Sequence, residues 1–98
     1  MSRFTDALKT RTSDPGFLAG YEDAVQRERL IKMLVQMRED SGGRQEDVAR
    51  AMGVGQSTVS QFENATDPRL STLQRYARAV NAQVHFVAVT RSRQPLEP

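Results

Sequence analysis

Cysteine is absent from the 98 residues, which excludes a disulfide framework, a thiolate nucleophile and a thiolate-held metal. The single histidine, His85, cannot build a His-rich metal site within one chain, and it makes a His-based catalytic triad a poor reading. No apolar run approaches the roughly 18 residues of a membrane span. The first 17 residues place charges in every short window, unlike the apolar centre of a signal peptide. A strong excess of one charge is also missing, since 14 lysines and arginines face 12 acids for a net charge of +2. Composition alone therefore does not announce a nucleic-acid binder. What remains is 38% apolar and 27% charged residues, ordinary for a soluble chain that builds one small domain with an arm at either end.

The charge is unevenly placed. Residues 1–64 hold nine basic and ten acidic side chains, whereas residues 65–98 hold five arginines (Arg69, Arg75, Arg78, Arg91, Arg93) against Asp67 and Glu97. Such an excess is either a solvated surface or a phosphate-facing patch, and its position in the fold must decide between them.

Apolar spacing divides the chain. Phe4, Ala7 and Leu8 share one face of a short helix over residues 2–12, which Ser13-Asp14-Pro15-Gly16 interrupts. Asp14 can cap a following helix with Pro15 at its first position. Leu18, Tyr21, Val25, Ile31, Leu34, Val35 and Arg38 then recur at three- and four-residue steps over residues 17–40, until Ser41-Gly42-Gly43 stops the run. Helices are expected over residues 45–52, 56–64 and 71–80, the last with Ser71 as its cap, and a loop over residues 65–69. Residues 83–90 are β-branched and aromatic without helical spacing, and read as a strand. A lone strand leaves its backbone groups unpaired, so Val84, His85, Phe86, Val87 and Val89 are expected to pair antiparallel with a second copy. A strand of another protein is the alternative partner.

The sharpest feature runs from Gln45 to Glu63. Two short helices flank Gly53-Val54-Gly55, and small Ala49 lets them cross closely, with Val54 and Val59 filling the corner. The second helix opens with Gln56, Ser57 and Thr58, short polar side chains that can reach base edges if its N-terminus enters a major groove. The plainer role for Ser57, Thr58 and Ser60 is capping and solubility.

This stretch resembles the helix-turn-helix of the phage-repressor (Xre) family, over roughly residues 35–80. By that likeness, Arg38 and Glu63 form an internal ion pair, Gln45 and Asn64 contact phosphates, and Gln56, Ser57 and Gln61 read bases. Gln56 is the leading candidate for adenine readout. The family's Gly-Leu-Thr-Gln entry is here Gly42-Gly43-Arg44-Gln45, so a core leucine and a threonine cap are missing. That departure loosens the entry, by about 1 kcal/mol for the cap, or adds a cation beside the DNA backbone. Gly55 replaces a common serine cap. Because residues 56–64 hold no lysine or arginine, phosphate attraction falls to Arg44 and Arg69, with Arg50, Arg75 or Arg78 as further contributors.

The implied fold is mainly α: a five-helix-type domain of the phage-repressor class with one C-terminal strand pairing across a homodimer. Its divisions are a helical arm over residues 1–22, the DNA-binding domain over 23–82, the strand over 83–90 and a flexible tail over 91–98. Within the family, HipB-like antitoxins share a closing strand. HigA-like antitoxins share more, namely Asp14-Pro15-Gly16-Phe17 with Tyr21, and the ending from Ser71 to Val80. The resemblance implies a cytoplasmic, nucleoid-associated bacterial antitoxin of a type II toxin–antitoxin system. Such a protein represses its own operon at a palindromic site and neutralises a RelE/HigB-like mRNA-cutting toxin. Phe4, Leu8, Phe17 and Leu18 make the arm a candidate toxin contact, or a surface packed on the chain's own helices or the other subunit. The alternatives are a stand-alone Xre-type regulator without a toxin, and an interaction module that no longer binds DNA. No cofactor or membrane contact is expected. Enzymatic function is poorly supported: Glu39-Asp40 and Glu46-Asp47 sit at helix ends as caps, and the glycine turn lacks the strand and lysine of a phosphate-binding loop.

Overall fold

The computed structural model describes residues 15–90. The expected helix over 2–12, the Asp14 cap and the tail over 91–98 lie outside the described residues. Four helices follow in order: α1 (Pro15–Asp40), α2 (Gln45–Met52), α3 (Gln56–Glu63) and α4 (Leu70–Ala79). Proline suits the first position of α1 because its φ is preset and its missing N–H would have no intrahelical partner there. The helix runs unbroken through residues 22 and 23, where the sequence reading divided arm from domain.

Three of the four helix ends, those of α1, α2 and α4, share one solution. After α1, Gly42 adopts φ +76°, and the Gly43 and Gly42 N–H groups bond the Arg38 and Glu39 carbonyls at 3.0 Å each. After α2, Gly53 takes φ +71°, and Val54 N–H reaches the Ala49 carbonyl at 3.0 Å. After α4 the left-handed residue is Asn81, φ +61°, which sends Ala82 N–H to the Ala77 carbonyl at 2.7 Å. Each reversal satisfies carbonyls that the helix leaves open. Asparagine tolerates this conformation better than most residues, so Asn81 is a stop the sequence reading passed over.

The starts differ from expectation in two places. Ser71 is not the cap of α4: the helix begins at Leu70 with Arg69 in the cap position, and Leu73 N–H bonds the Arg69 carbonyl at 3.0 Å. At α2 the cap position holds Arg44, whose side chain has no acceptor. The loss is met from inside the helix, where the Asp47 carboxylate accepts the Arg44 N–H at 2.8 Å. A carboxylate in the first turn also suits the positive end of the helix dipole. The acidic pair at this terminus thus does act as a cap, through its second member.

Ile31 and Leu34 of α1, Val48 and Ala49 of α2, Val59 and Phe62 of α3, and Leu73, Tyr76 and Ala77 of α4 form the core. Burying a side chain such as Leu34 stabilises by about 1.5–3 kcal/mol. The Phe62 and Tyr76 rings lie 4.7 Å apart between centroids, tilted by 31°. Among the described residues α1 supplies this core only from its second half. Farther up α1, Arg27 ties it to the α3–α4 loop by donating to the Thr66 carbonyl at 3.0 Å.

No strand forms among the described residues, and residues 82–90 carry no regular element. Val84 packs against the core, whereas Phe86, Val87 and Val89 are 49%, 79% and 76% exposed. Among the described residues no other extended segment pairs with it in a ladder.

Candidate nucleic-acid interface

Helices α2 and α3 meet across a turn set by Gly53. Ala49, 4% exposed, and Val59, 1% exposed, both lie in the core these helices share, and Val54 packs against that core. The buried face of α3 is therefore Val59 and Phe62. Its opening residues Gln56, Ser57 and Thr58 are exposed, as is Gln61, while Ser60 is half-buried. Gly55 begins α3 with extended backbone and no side-chain cap, leaving N–H groups of the first turn available to an anion.

Behind this face sits one polar cluster. Arg38 Nε and Nη2 donate to Glu63 Oε2 and Oε1 at 2.7 and 3.0 Å, a bidentate pair whose side chains are 11% and 7% exposed. Arg38 Nη1 donates to the Gly43 carbonyl at 3.0 Å, the Tyr76 hydroxyl to Glu63 Oε2 at 2.6 Å, and Gln45 Nε2 to Glu63 Oε1 at 2.9 Å. Gln56 Nε2 in turn donates to Gln45 Oε1 at 3.3 Å. Burial would raise the Glu63 carboxyl, but hydrogen bonds from Arg38, Tyr76 and Gln45 outweigh it and hold the group below its ordinary range. The bond to Glu63 raises Arg38 against the opposing effect of burial. Burial, reinforced by the Glu63 carboxylate, pushes the Tyr76 phenol well above its usual range. All three groups stay in their bonding protonation state at neutral pH. The cluster joins α1, α2, α3 and α4 at one point.

The arginines expected to face phosphate differ in setting. Arg44 and Arg69 are exposed, with no ion pair among the described residues. Arg50 pairs with Asp47, and Arg75 Nη2 donates to the Met52 carbonyl at 2.8 Å, at the negative end of α2. Arg78 is exposed. Asn64 turns its amide back to the Ser60 carbonyl at 2.9 Å, so its Nδ2 is partly spent within the helix.

The helix-turn-helix family model matches residues 34–85. The chain belongs to that family. As a helix-turn-helix protein it is 47% identical over 76 residues to antitoxin HigA1 of Mycobacterium tuberculosis, in strains CDC 1551/Oshkosh and ATCC 25618/H37Rv alike. The match covers 76% of this chain and 51% of those proteins, so the chain spans about half their length. No solved structure matches.

Two members of the helix-turn-helix cluster escaped sequence reasoning. Helical spacing puts Tyr76 on one face with Leu73 and Ala77 but names no partner for its hydroxyl, although a buried phenol requires one. Gln45 was assigned outward, yet its amide is engaged at both atoms, leaving one N–H for a phosphate.

Proposed function

We propose that the chain is a sequence-specific DNA-binding repressor and the antitoxin of a type II toxin–antitoxin system, repressing its own operon and neutralising a RelE/HigB-like mRNA-cutting toxin in the bacterial cytoplasm. The observation that carries the DNA half is α3 itself. Its inner residues are locked into the core and the buried cluster, while Gln56, Ser57, Thr58 and Gln61 stand outside on a rigid base. Such a base lets short side chains hold one register in a major groove. Gln56 and Gln61, with Ser57, Thr58 and Ser60, read bases. Arg44, Arg69, Gln45 and Asn64 hold the phosphate backbone. The likeness to antitoxin HigA1 supports the antitoxin half, with residues 1–22 as the toxin-facing arm.

The active unit is a homodimer. Phe86, Val87 and Val89 are large apolar side chains exposed in the single chain, and antiparallel pairing of residues 83–90 with a second copy covers them and their backbone groups. Two copies of α3 related by that axis read a palindrome with half-sites one helical turn, or a multiple, apart. Footprinting on the chain's own upstream region tests this: a two-fold protected site is expected, and one asymmetric half-site held by a stable monomer would refute it. Co-purification with the adjacent small reading frame tests the toxin. Unchanged toxin affinity after deletion of residues 1–16 removes the arm from that interface.

A further inference from the structure

Arg27 stands on α1 before Ile31, the first buried core residue of that helix, yet its side chain reaches the loop that follows the exposed face of α3. We propose that Arg27 is a positioning residue for DNA binding: from α1 it holds the α3–α4 loop so that Arg69 meets the phosphate backbone. This rests on Arg69 being a phosphate contact.

The loop leaves α3 anchored and reaches α4 anchored, with a gap between. Ala65 N–H bonds the Phe62 carbonyl at 3.0 Å, and the Arg69 carbonyl accepts from Leu73 N–H at 3.0 Å. Among the described residues, the one hydrogen bond made by residues 66–68 is that from Arg27 Nε to the Thr66 carbonyl, at 3.0 Å. Pro68 fixes its own φ and restricts Asp67 to extended backbone. The path from Thr66 to Arg69 therefore has little freedom once Thr66 is held. Arg69 is itself extended, at φ −71° and ψ 143°, in the cap position of α4. An arginine presented from a fixed backbone gives up less freedom on meeting a phosphate than one on a loose loop. Arg27 also sets a cation 3.7 Å from the Asp67 carboxylate, an anion two residues from Arg69 that would otherwise weaken its attraction for phosphate. The fold does not depend on this contact, because the Arg27 side chain is 38% exposed and its acidic partner 82%.

Anisotropy titrations of the full chain at several salt concentrations, on a duplex from its own upstream region and on a shuffled duplex, test the link through a double-substitution cycle. Arg69→Ala should weaken binding and flatten the salt dependence by about 0.9 in log–log slope per subunit. Arg27→Ala should weaken binding about fivefold, to the same extent on both duplexes, because phosphate contacts carry no sequence information. Its circular dichroism should match that of the unsubstituted chain. The chain carrying both substitutions should bind no more weakly than Arg69→Ala alone, since Arg27 acts through Arg69. Losses that multiply in the double variant, with the slope flattened by about a further 0.9 per subunit, make Arg27 a phosphate contact in its own right and overturn the proposal. Unchanged binding in Arg27→Ala beside weakened binding in Arg69→Ala overturns it as well. If Arg69→Ala itself binds unchanged, the phosphate assignment of Arg69 fails, and the proposal falls with it.

Discussion

Arg38–Glu63 and Arg50–Asp47 are the same chemistry in two settings. The first pair is nearly sealed, with its carboxylate receiving four hydrogen bonds from three other residues. The second lies on the surface of one short helix, with side chains 75% and 49% exposed. In the sealed pair each charge has exchanged water for its partners, so removal of one leaves the other stranded. In the exposed pair water replaces whatever is lost. Burial, rather than distance, decides which ion pair the fold depends on.

The contrast is broken or sharpened by substitution. Glu63→Ala should cost about 3–5 kcal/mol, read from the urea midpoint. Replacing Arg38 and Glu63 together by methionine and leucine should cost much less, because no buried charge is left alone. A loss at Glu63 no larger than at Asp47 ends the contrast. Ala49→Leu tests the uncharged part of the same junction and should cost about 1–3 kcal/mol by forcing α2 and α3 apart. Asp47→Ala removes the bond to the Arg44 N–H together with the Arg50 pair, for about 1 kcal/mol. Glu28→Ala, which breaks only the exposed Lys32 pair of α1, should stay within about 0.5 kcal/mol.

Acid gives the same comparison without mutation. Glu63 titrates below its ordinary range when folded, so the stability it contributes is present above the unfolded-state value. That contribution is lost as pH falls through the lower folded value. Thermal unfolding followed downward from pH 6 should show this loss in the unsubstituted chain and a shallower one in Glu63→Gln. Tyr76 has the opposite sign: its contribution is complete below the usual tyrosine range and disappears only at strongly alkaline pH.

Much of the domain was legible because its signals are local. Three- and four-residue spacing locates the four helices of residues 15–90, and glycines at 42 and 53 mark two of their ends. The left-handed end of α4, at Asn81, was missed because asparagine is an ordinary loop residue until its φ is known. The start of α4 was misplaced because Ser71 has the chemistry of a cap, whereas the backbone turns two residues earlier, at Arg69. The Arg44 departure at the entry to α2 reads from sequence as a loosened entry or as an added cation beside the DNA backbone. Asp47, three residues on, supplies the bond from the other side, and reading Arg44 and Asp47 as a unit would have found it. Tyr76 and the second role of Gln45 lie beyond spacing rules, since both depend on Glu63, 13 and 18 residues away in sequence. Residues 83–90 show the converse limit: their composition favours a strand, but no strand that could pair with them forms among the described residues.

Fluorescence anisotropy on a duplex from the chain's own upstream region, against a shuffled duplex of equal length, tests the central claim that α3 reads DNA. The account expects the native duplex to bind at least tenfold more tightly at physiological salt. It expects Gln56→Ala with Gln61→Ala to abolish that preference while the fold, by circular dichroism, stays intact. Equal binding of the two duplexes, or a preference that survives the double substitution, would contradict it.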